Sequence, residues 1–174
     1  MMKTGESSLF PLLYDYLKTY LPKQRNVSHN TILSYRKALE ELLDYVKERE
    51  QIPLGSLSFE HLTADVIFSF LEHLELEKGC SISTRNARFA AIRAFMDYAA
   101  DHDITLIANL NKLKKVPFKK PDNTIMVDYM SMRAITAIIE QPDINTPKGL
   151  RDRFFIMLLY DTGARVQEVL NLKL

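Results

Sequence analysis

Apolar residues recur at intervals of three and four positions through most of the first 110 residues, which is the period of an amphipathic α-helix. A serine or threonine stands near the start of each of the four stretches, where its hydroxyl oxygen can cap the first turn. No stretch before residue 110 alternates apolar and polar positions with the period of a strand. Residues 1–110 are therefore predicted to form an all-α domain, a bundle of four to five helices that pack their apolar faces together. The predicted helices cover residues 7–21, 28–50 with Ser28 as cap, 63–79 with Thr63 as cap, and 83–103 with Ser83 or Thr84 as cap.

The periodicity stops at residues 111–124, which are rich in lysine and contain Pro117 and Pro121, and this composition predicts an extended linker. Beyond it, the segment RFFIMLLY is apolar nearly all round, like a helix buried within a larger domain. About 50 residues are too few to bury such a helix. Residues 125–174 are thus predicted to be the N-terminal portion of an incomplete domain. Its helices are predicted over residues 131–140, over 148–160 with Thr146 as cap and Pro147 in the first turn, and from about Ala164.

The composition, with 47% apolar and 26% charged residues, is that of a globular protein. No stretch reaches the roughly 18 apolar residues of a membrane helix, and the N-terminus lacks the apolar core of a signal peptide. The single cysteine, Cys80, has no partner for an internal disulfide, which agrees with a reducing compartment. The four histidines lack acidic or cysteine partners at ligand spacing. We therefore expect a cytoplasmic protein with no membrane contact and no metal site.

Charge is distributed unevenly, although the net charge is only +1. Residues 17–39 and 79–96 contain lysines and arginines but no acid, whereas residues 60–77 contain five acids and no lysine or arginine. Residues 111–123 then add five lysines and one aspartate. Basic blocks of this kind are the electrostatic footprint of nucleic-acid binding. They are equally typical of the solvated faces of amphipathic helices, so charge alone leaves both interpretations open.

The fragment DTGARVQEVL, residues 161–170, carries the most specific chemistry in the chain. Gly163 permits a sharp turn, and Arg165 then stands at the start of a helix, where its guanidinium and unpaired backbone N–H groups can hold an anion. Glu168 lies one turn later, within reach of the same guanidinium, and can fix its orientation. An ordinary surface ion pair at a helix start is the alternative interpretation of these three residues.

The longer string LRDRFFIMLLYDTGARVQEVLNLKL resembles the start of the catalytic domain of the tyrosine recombinase, or phage integrase, family. In that family an R-D pair opens an apolar helix, and a T-G-x-R-x-x-E-x-x-x-L segment supplies the first catalytic arginine. NTILSYRKALEELLDYV is similar to the second helix of the family's core-binding domain, and STRNARFAAIRAFMDYA is similar to its fourth. The resemblance implies a SAM-like orthogonal bundle over residues 1–110, followed by the first helices of a truncated mixed α+β catalytic domain.

The resemblance also implies a reaction. The family cuts one DNA strand by attack of a tyrosine hydroxyl, forms a 3′-phosphotyrosyl link and exchanges strands without ATP or an obligatory metal, so no cofactor is expected. Arg165 would bind the scissile phosphate and Glu168 would support it. The remaining catalytic groups follow this arginine in the family, and Lys173 stands before the hairpin that carries the catalytic lysine. All eight tyrosines precede Arg165, so the nucleophile is expected to be absent and these 174 residues are predicted to be inactive alone.

By the same resemblance, the N-terminal ends of the second and fourth helices contact the major groove of double-stranded DNA. Both stretches are polar and basic, as phosphate binding requires, and a helix N-terminus adds its dipole. Arg85, Asn86 and Arg88 are the candidates for base edges. The linker lysines are expected to cross the DNA backbone, and the full-length protein to assemble with other protomers as a tetramer on a recombination site. The predicted DNA contacts are Thr31, Ser34, Tyr35, Arg36, Thr84, Arg85, Asn86, Arg88, Arg93, Lys114, Lys115, Lys119 and Lys120.

Two other functions are compatible with the sequence: a non-catalytic DNA-binding regulator with the same fold, and a helical protein-interaction module whose basic clusters are solvated faces. Apolar residues near the C-terminus are expected to lie exposed and to promote self-association. They are Leu159, Val166, Val169, Leu170, Leu172 and Leu174.

Overall fold

The computed structural model describes residues 9–120 and 129–173. Throughout these residues the secondary structure is helical and contains no strand, so the predicted all-α fold is confirmed for this part of the chain. The chain divides into two compact units, Met1–Asp122 and Asn123–Leu174. The boundary predicted between residues 124 and 125 lies outside the described residues, as do Leu174 and positions 121–124 of the predicted linker.

Helices follow one another along both described ranges, joined by short turns. In the first unit they are α1 (Leu9–Asp15), which continues as a π-helix (Tyr16–Gln24), α2 (His29–Glu50), α3 (Ala64–Leu76), α4 (Ile82–His102) and α5 (Ile107–Lys115). In the second unit they are α6 (Met132–Glu140), α7 (Pro147–Thr162) and α8 (Val166–Leu170). Single 3₁₀ turns lie at Leu54–Ser56, Phe59–His61 and Ile104–Leu106.

The core of the first unit lies around α4, on which α2, α3 and α5 pack. The apolar residues that recur at helical spacing in α4 are all buried, and the aromatic ones contribute about 1.5–3 kcal/mol each to folding; they are Phe89, Ile92, Phe95, Met96 and Ala99. Of the corresponding residues of α3, Ile67, Phe70, Leu71 and Leu74 are buried and Val66 is half-buried. Periodicity therefore identified the inward faces of both helices correctly.

The caps of α2 and α3 are those that the sequence predicts. Thr31 N–H donates to Ser28 Oγ at 3.3 Å, and Val66 N–H donates to Thr63 Oγ1 at 3.3 Å. The cap predicted for α4 is wrong, because Ser81 caps that helix instead and accepts from Thr84 N–H at 3.2 Å. The preceding turn explains the shift.

That turn is held by a backbone hydrogen bond from Cys80 N–H to the carbonyl of Leu74 at 2.8 Å, and the side chain of Cys80 packs against the core. The cap therefore falls on Ser81, directly after Cys80, and the helix begins at Ile82. Ser83 and Thr84 consequently lie within its first turn.

The extended linker predicted from residue 111 is wrong for its first five residues, because α5 continues to Lys115. Leu110 and Leu113 lie one turn apart and are both buried, so packing holds this lysine-rich segment in a helix. Pro117 disfavours helical backbone in the residue before it, and the helix ends there. Residues 117–120 are without regular secondary structure.

In the second unit, the cap predicted at Thr146 is present, Ser131 caps α6, and α7 runs two residues beyond Tyr160. Gly149 is buried against the preceding loop, and a Cβ atom there would lie 2.0 Å from the carbonyl oxygen of Asp143. The backbones therefore approach closely only because this residue is glycine. Of the apolar residues expected to lie exposed, Val166, Leu170 and Leu172 are exposed, whereas Leu159 and Val169 are half-buried.

An aromatic cluster joins the π-helix to α4, and its polar edge is a 2.5 Å hydrogen bond from the Tyr98 hydroxyl to Asp15 Oδ2. Burial, followed by this hydrogen bond and the negative charge of Asp15, raises the pKa of Tyr98 to about 12. The same hydrogen bond, with a second from Thr19, lowers the pKa of Asp15.

Tyr98→Phe is predicted to lower the free energy of unfolding at neutral pH, and the difference from wild type should shrink as the solution becomes alkaline. A raised tyrosine pKa stabilises the fold below the unfolded value of about 10, and this stabilisation is lost as pH rises through about 12. Urea unfolding followed by circular dichroism at pH values from about 7 to 12 measures both effects. A constant difference across this range would contradict the assignment.

Candidate nucleic-acid interface

The first turn of α2 presents a polar surface without acidic residues. Ser28 Oγ lies 2.9 Å from Thr31 Oγ1, so both hydroxyls are engaged at the cap. Ser34 and Arg36 are exposed, whereas Tyr35 is half-buried against the core. The Nε of Arg36 donates to Glu40 Oε1 at 2.6 Å, an exposed pair one turn along the helix.

The first turn of α4 is likewise free of acids, but its predicted contacts are arranged differently. Thr84 Oγ1 lies 3.0 Å from Ser81 Oγ at the cap. Arg85 is only 2% exposed, and its Nε lies 3.2 Å from Glu75 Oε1, an ion pair by distance without hydrogen-bond geometry. The expectation that Arg85 reads base edges is therefore corrected, because its guanidinium is inside the protein.

Arg88 connects α4 to the middle of α2. Its Nε and Nη2 donate to the two carboxylate oxygens of Glu41 at 2.6 and 3.2 Å, and only 13% of its side chain is exposed. Lys37 lies 3.9 Å from the same carboxylate. Two parallel hydrogen bonds between planar groups fix the guanidinium, so Arg88 serves first as a tie between helices.

Arg93 lies between two aromatic rings. Its guanidinium carbon is 5.6 Å from the ring centroid of Phe89 and 5.3 Å from that of Phe118, both within cation–π range. The side chain is half-buried. The guanidinium therefore lies against two aromatic rings while part of the side chain remains in solvent.

Asn86 bonds to the chain that follows α5. Its Nδ2 donates to the carbonyl of Lys119 at 2.7 Å, and its Oδ1 accepts from Lys119 N–H at 3.2 Å. Among the linker lysines, Lys119 Nζ lies 2.8 Å from Glu75 Oε2 and Lys114 Nζ lies 2.8 Å from Asp97 Oδ1. Lys115 and Lys120 are exposed and form no ion pair with a described residue.

The sequence analysis did not identify the carboxylates that pair with the basic residues. Five of the basic residues predicted to contact DNA are paired with an acid of the same unit. A helical spacing of i+4 from Arg36 and Lys37 would have identified Glu40 and Glu41. The pairing of Arg88 with Glu41, and that of Glu75 and Asp97, depends on tertiary contacts between separate elements, and no local signal indicates it. The five pairs are Arg36–Glu40, Arg85–Glu75, Arg88–Glu41, Lys114–Asp97 and Lys119–Glu75.

In the second unit, Arg165 and Glu168 have the local geometry that their spacing predicts. Gly163 has φ +62° and ends α7, and Arg165 is the residue immediately before α8. The carboxylate of Glu168 accepts from Arg165 N–H at 2.9 Å and from its Nη1 at 3.2 Å. The Arg165 side chain is 88% exposed, so its remaining N–H groups face solvent. Lys173 is also exposed.

Neither a metal centre nor a membrane span is found in the ranges that the structure covers. No group of three or more histidine, cysteine, aspartate or glutamate side chains there could hold a metal ion. No helix described is long and apolar enough to cross a bilayer.

Arg85→Met is predicted to lower the free energy of unfolding by about 2–3 kcal/mol. Breaking a buried ion pair costs roughly 3–5 kcal/mol, and Glu75 keeps part of its compensation from Lys119. Arg36→Met is the matched control, because its pair with Glu40 is exposed and is expected to contribute under about 1 kcal/mol. Urea unfolding by circular dichroism compares the two, and equal losses would contradict a structural role for Arg85.

Comparison with known proteins places this geometry in a family. Residues 15–103, about half of the chain, match the phage integrase N-terminal SAM-like domain. The integrase/recombinase y4rD of Sinorhizobium fredii is 38% identical over 160 residues, covering 92% of this chain and 57% of the relative. The tyrosine recombinase XerD of Staphylococcus aureus is 30% identical over 169 residues, covering 94% of this chain and 52% of the relative.

The chain thus spans about half the length of the curated relatives that it matches. No solved structure gives a significant match. The domain match agrees with the helical fold of the first unit. The chain belongs to the tyrosine recombinase, or phage integrase, family.

Proposed function

We propose that this chain is the DNA-binding portion of a site-specific tyrosine recombinase. Membership of the family carries the proposal, and one feature of the structure supports it: the first turns of α2 and α4 contain no acidic residue, a feature that they share with α5, α6 and α7 and that α3, with Asp65, lacks. Acids at a helix N-terminus stabilise the helix through its dipole, and their absence leaves positive potential for an external anion. A DNA phosphate is the anion that suits two such helix ends.

The proposed contacts are mainly with the sugar–phosphate backbone. They involve hydroxyls and basic groups that are accessible or weakly paired, since an exposed ion pair contributes little and can exchange its carboxylate for a phosphate. Arg85 is excluded because it is buried. Asn86 and Arg88 could reach base edges only by leaving Lys119 and Glu41. The proposed backbone contacts are Thr31, Ser34, Tyr35, Arg36, Thr84, Arg93, Lys114, Lys115, Lys119 and Lys120.

Arg165 and Glu168 are proposed to belong to the catalytic site of the recombinase. An exposed guanidinium next to a glycine turn has N–H groups available for the non-bridging oxygens of a scissile phosphate. The carboxylate of Glu168, bonded to both the backbone and side chain of Arg165, supports its orientation. The proposed full reaction proceeds through a 3′-phosphotyrosine, without metal or other cofactor, in a tetramer of protomers on DNA in the cytoplasm.

A helical protein-interaction module is the second candidate, and the carboxylate pairing of five basic side chains is the observation that favours it. Charges neutralised within the protein need no external partner. A non-catalytic DNA-binding regulator shares every contact proposed for the recombinase and differs only in chemistry. A DNA-binding assay separates the interaction module from the two DNA-binding candidates.

The protein is predicted to bind duplex DNA with an affinity that falls linearly as salt rises on a log–log plot. Arg36→Gln should reduce the slope by about 1, because one phosphate contact is lost. Lys47→Gln is the control. It removes the same single positive charge, but Lys47 is exposed near the C-terminal end of α2, away from the proposed contact. Fluorescence anisotropy at several salt concentrations measures both slopes. Absence of binding at low salt would favour the interaction module.

A polypeptide of these 174 residues is predicted to form no covalent adduct with a nicked suicide substrate, because every tyrosine precedes Arg165. Denaturing electrophoresis of labelled DNA after incubation tests this, with a recombinase of known activity on its own site as the positive control. An adduct mapped to any tyrosine of the chain would show that the nucleophile has been misassigned.

A further inference from the structure

The segment that follows α5, residues 116–119, lies along the beginning of α4 and is held there at each residue. Val116 packs against the core, and the carbonyl of Pro117 accepts from Arg85 Nη1 at 3.3 Å. The ring of Phe118 lies 5.1 Å from that of Phe89. Lys119 is bonded through both backbone groups to Asn86. A segment without regular secondary structure is therefore fixed by specific contacts.

The site that holds this segment contains the one charged side chain that is fully buried in the described ranges, Arg85. A buried guanidinium is costly unless its donors and its charge are satisfied. Here Glu75 from α3 supplies the charge, while Asn86 Oδ1 and the Pro117 carbonyl accept from Nη1 at 3.1 and 3.3 Å. The segment is thus part of what makes the burial of Arg85 tolerable.

Asn86 bonds both the N–H and the carbonyl of Lys119, with one donor and one acceptor. A second asparagine of this unit, Asn109, also bonds one backbone donor and one backbone acceptor, which belong to the two residues on either side of Thr63. Asn109 donates from Nδ2 to the carbonyl of Leu62 at 2.7 Å and accepts at Oδ1 from Ala64 N–H at 2.8 Å. Asn109 therefore fixes the start of α3 by the chemistry with which Asn86 fixes the segment.

We propose that Glu75, Arg85 and Asn86 form a docking site for residues 117–119, and that this site positions Lys119 and Lys120 for contact with DNA phosphates. The DNA-binding half of this inference rests on the proposed function, whereas the docking half does not. The three residues are positioning residues, since they act on DNA through the lysines. Ordering the segment before DNA arrives removes part of the conformational entropy that binding would otherwise cost.

The ion pair between Lys119 and Glu75 is compatible with this role. The Lys119 side chain is 50% exposed, so the pair is weak and its ammonium group can exchange the carboxylate for a phosphate. The backbone of Lys119 remains bonded to Asn86 during that exchange. Lys120 follows directly and is exposed.

Asn86→Ala tests the proposal, with Asn109→Ala as the matched control, because each change removes one asparagine that bonds two backbone groups. In the free protein, Asn86→Ala should raise the hydrogen-exchange rate of the Lys119 amide about tenfold or more. Asn109→Ala should instead raise the rate at Ala64 and leave Lys119 unchanged. Exchange measured by NMR resolves the two amides, and an unchanged Lys119 rate in Asn86→Ala would overturn the docking site.

The DNA half is tested with a fluorescein-labelled duplex of random sequence, on which direct reading of bases makes no contribution. Asn86→Ala should weaken binding by about three- to tenfold, the cost of ordering one or two long side chains, with no change in the log–log salt slope. Lys119→Gln should reduce that slope by about 1. A reduced slope in Asn86→Ala, or an equal loss of affinity in Asn109→Ala, would overturn the positioning role.

Phe118→Ala provides a second variant that leaves all polar groups in place. It should raise exchange at Lys119 and weaken binding in the same direction as Asn86→Ala, because it removes the packing on Phe89. Unchanged exchange at Lys119 in this variant would count against the packing part of the site. If the wild-type protein binds no duplex at low salt, the proposed function and the positioning role both fail, while the exchange results still decide the docking site.

Discussion

The first unit depends on the packing of α4, which contacts α2, α3 and α5 and buries side chains around most of its circumference. Large residues fill one face, and alanines at positions 91, 99 and 100 allow neighbouring helices to come close on the others. One face of α4 stays in solvent, marked by Ser83, Ala87, Ala90, Asp97 and Asp101. A basic side chain whose position falls on an enclosed face must consequently find partners inside the protein.

Arg85 shows how this constraint overrides local chemistry. Residues 85, 89, 92 and 96 follow one another at spacings of four, three and four, so Arg85 occupies the first position of the buried stripe. Its charge suggests a surface residue, but its phase in the helix assigns it to the interior. The helical position of residue 85 thus predicts its burial better than its charge does, and this position can be read from the sequence alone.

The sequence predicted helices, inward faces and most caps because these depend on residues within one or two turns of each other. The prediction failed where several neighbouring residues could play the same role, as with the three hydroxyl residues that could cap α4. It also failed where tertiary packing decided, as with the lysine-rich end of α5, which Leu113 holds in a helix. At the candidate interface, types and positions of basic residues could be predicted. Their carboxylate partners could not be, apart from Glu40, because Glu41, Glu75 and Asp97 lie on other elements than the basic residues that they pair with.

The carboxylate pairing has a kinetic consequence for the proposed DNA-binding function. With a net charge of +1 and acids placed directly beside its basic groups, the protein produces little long-range field to attract a polyanion. Encounter with DNA would then be governed by ordinary diffusion, and selection among sites by how long each complex survives. A protein of this kind distinguishes its target after contact has been made, when each phosphate displaces a carboxylate at close range.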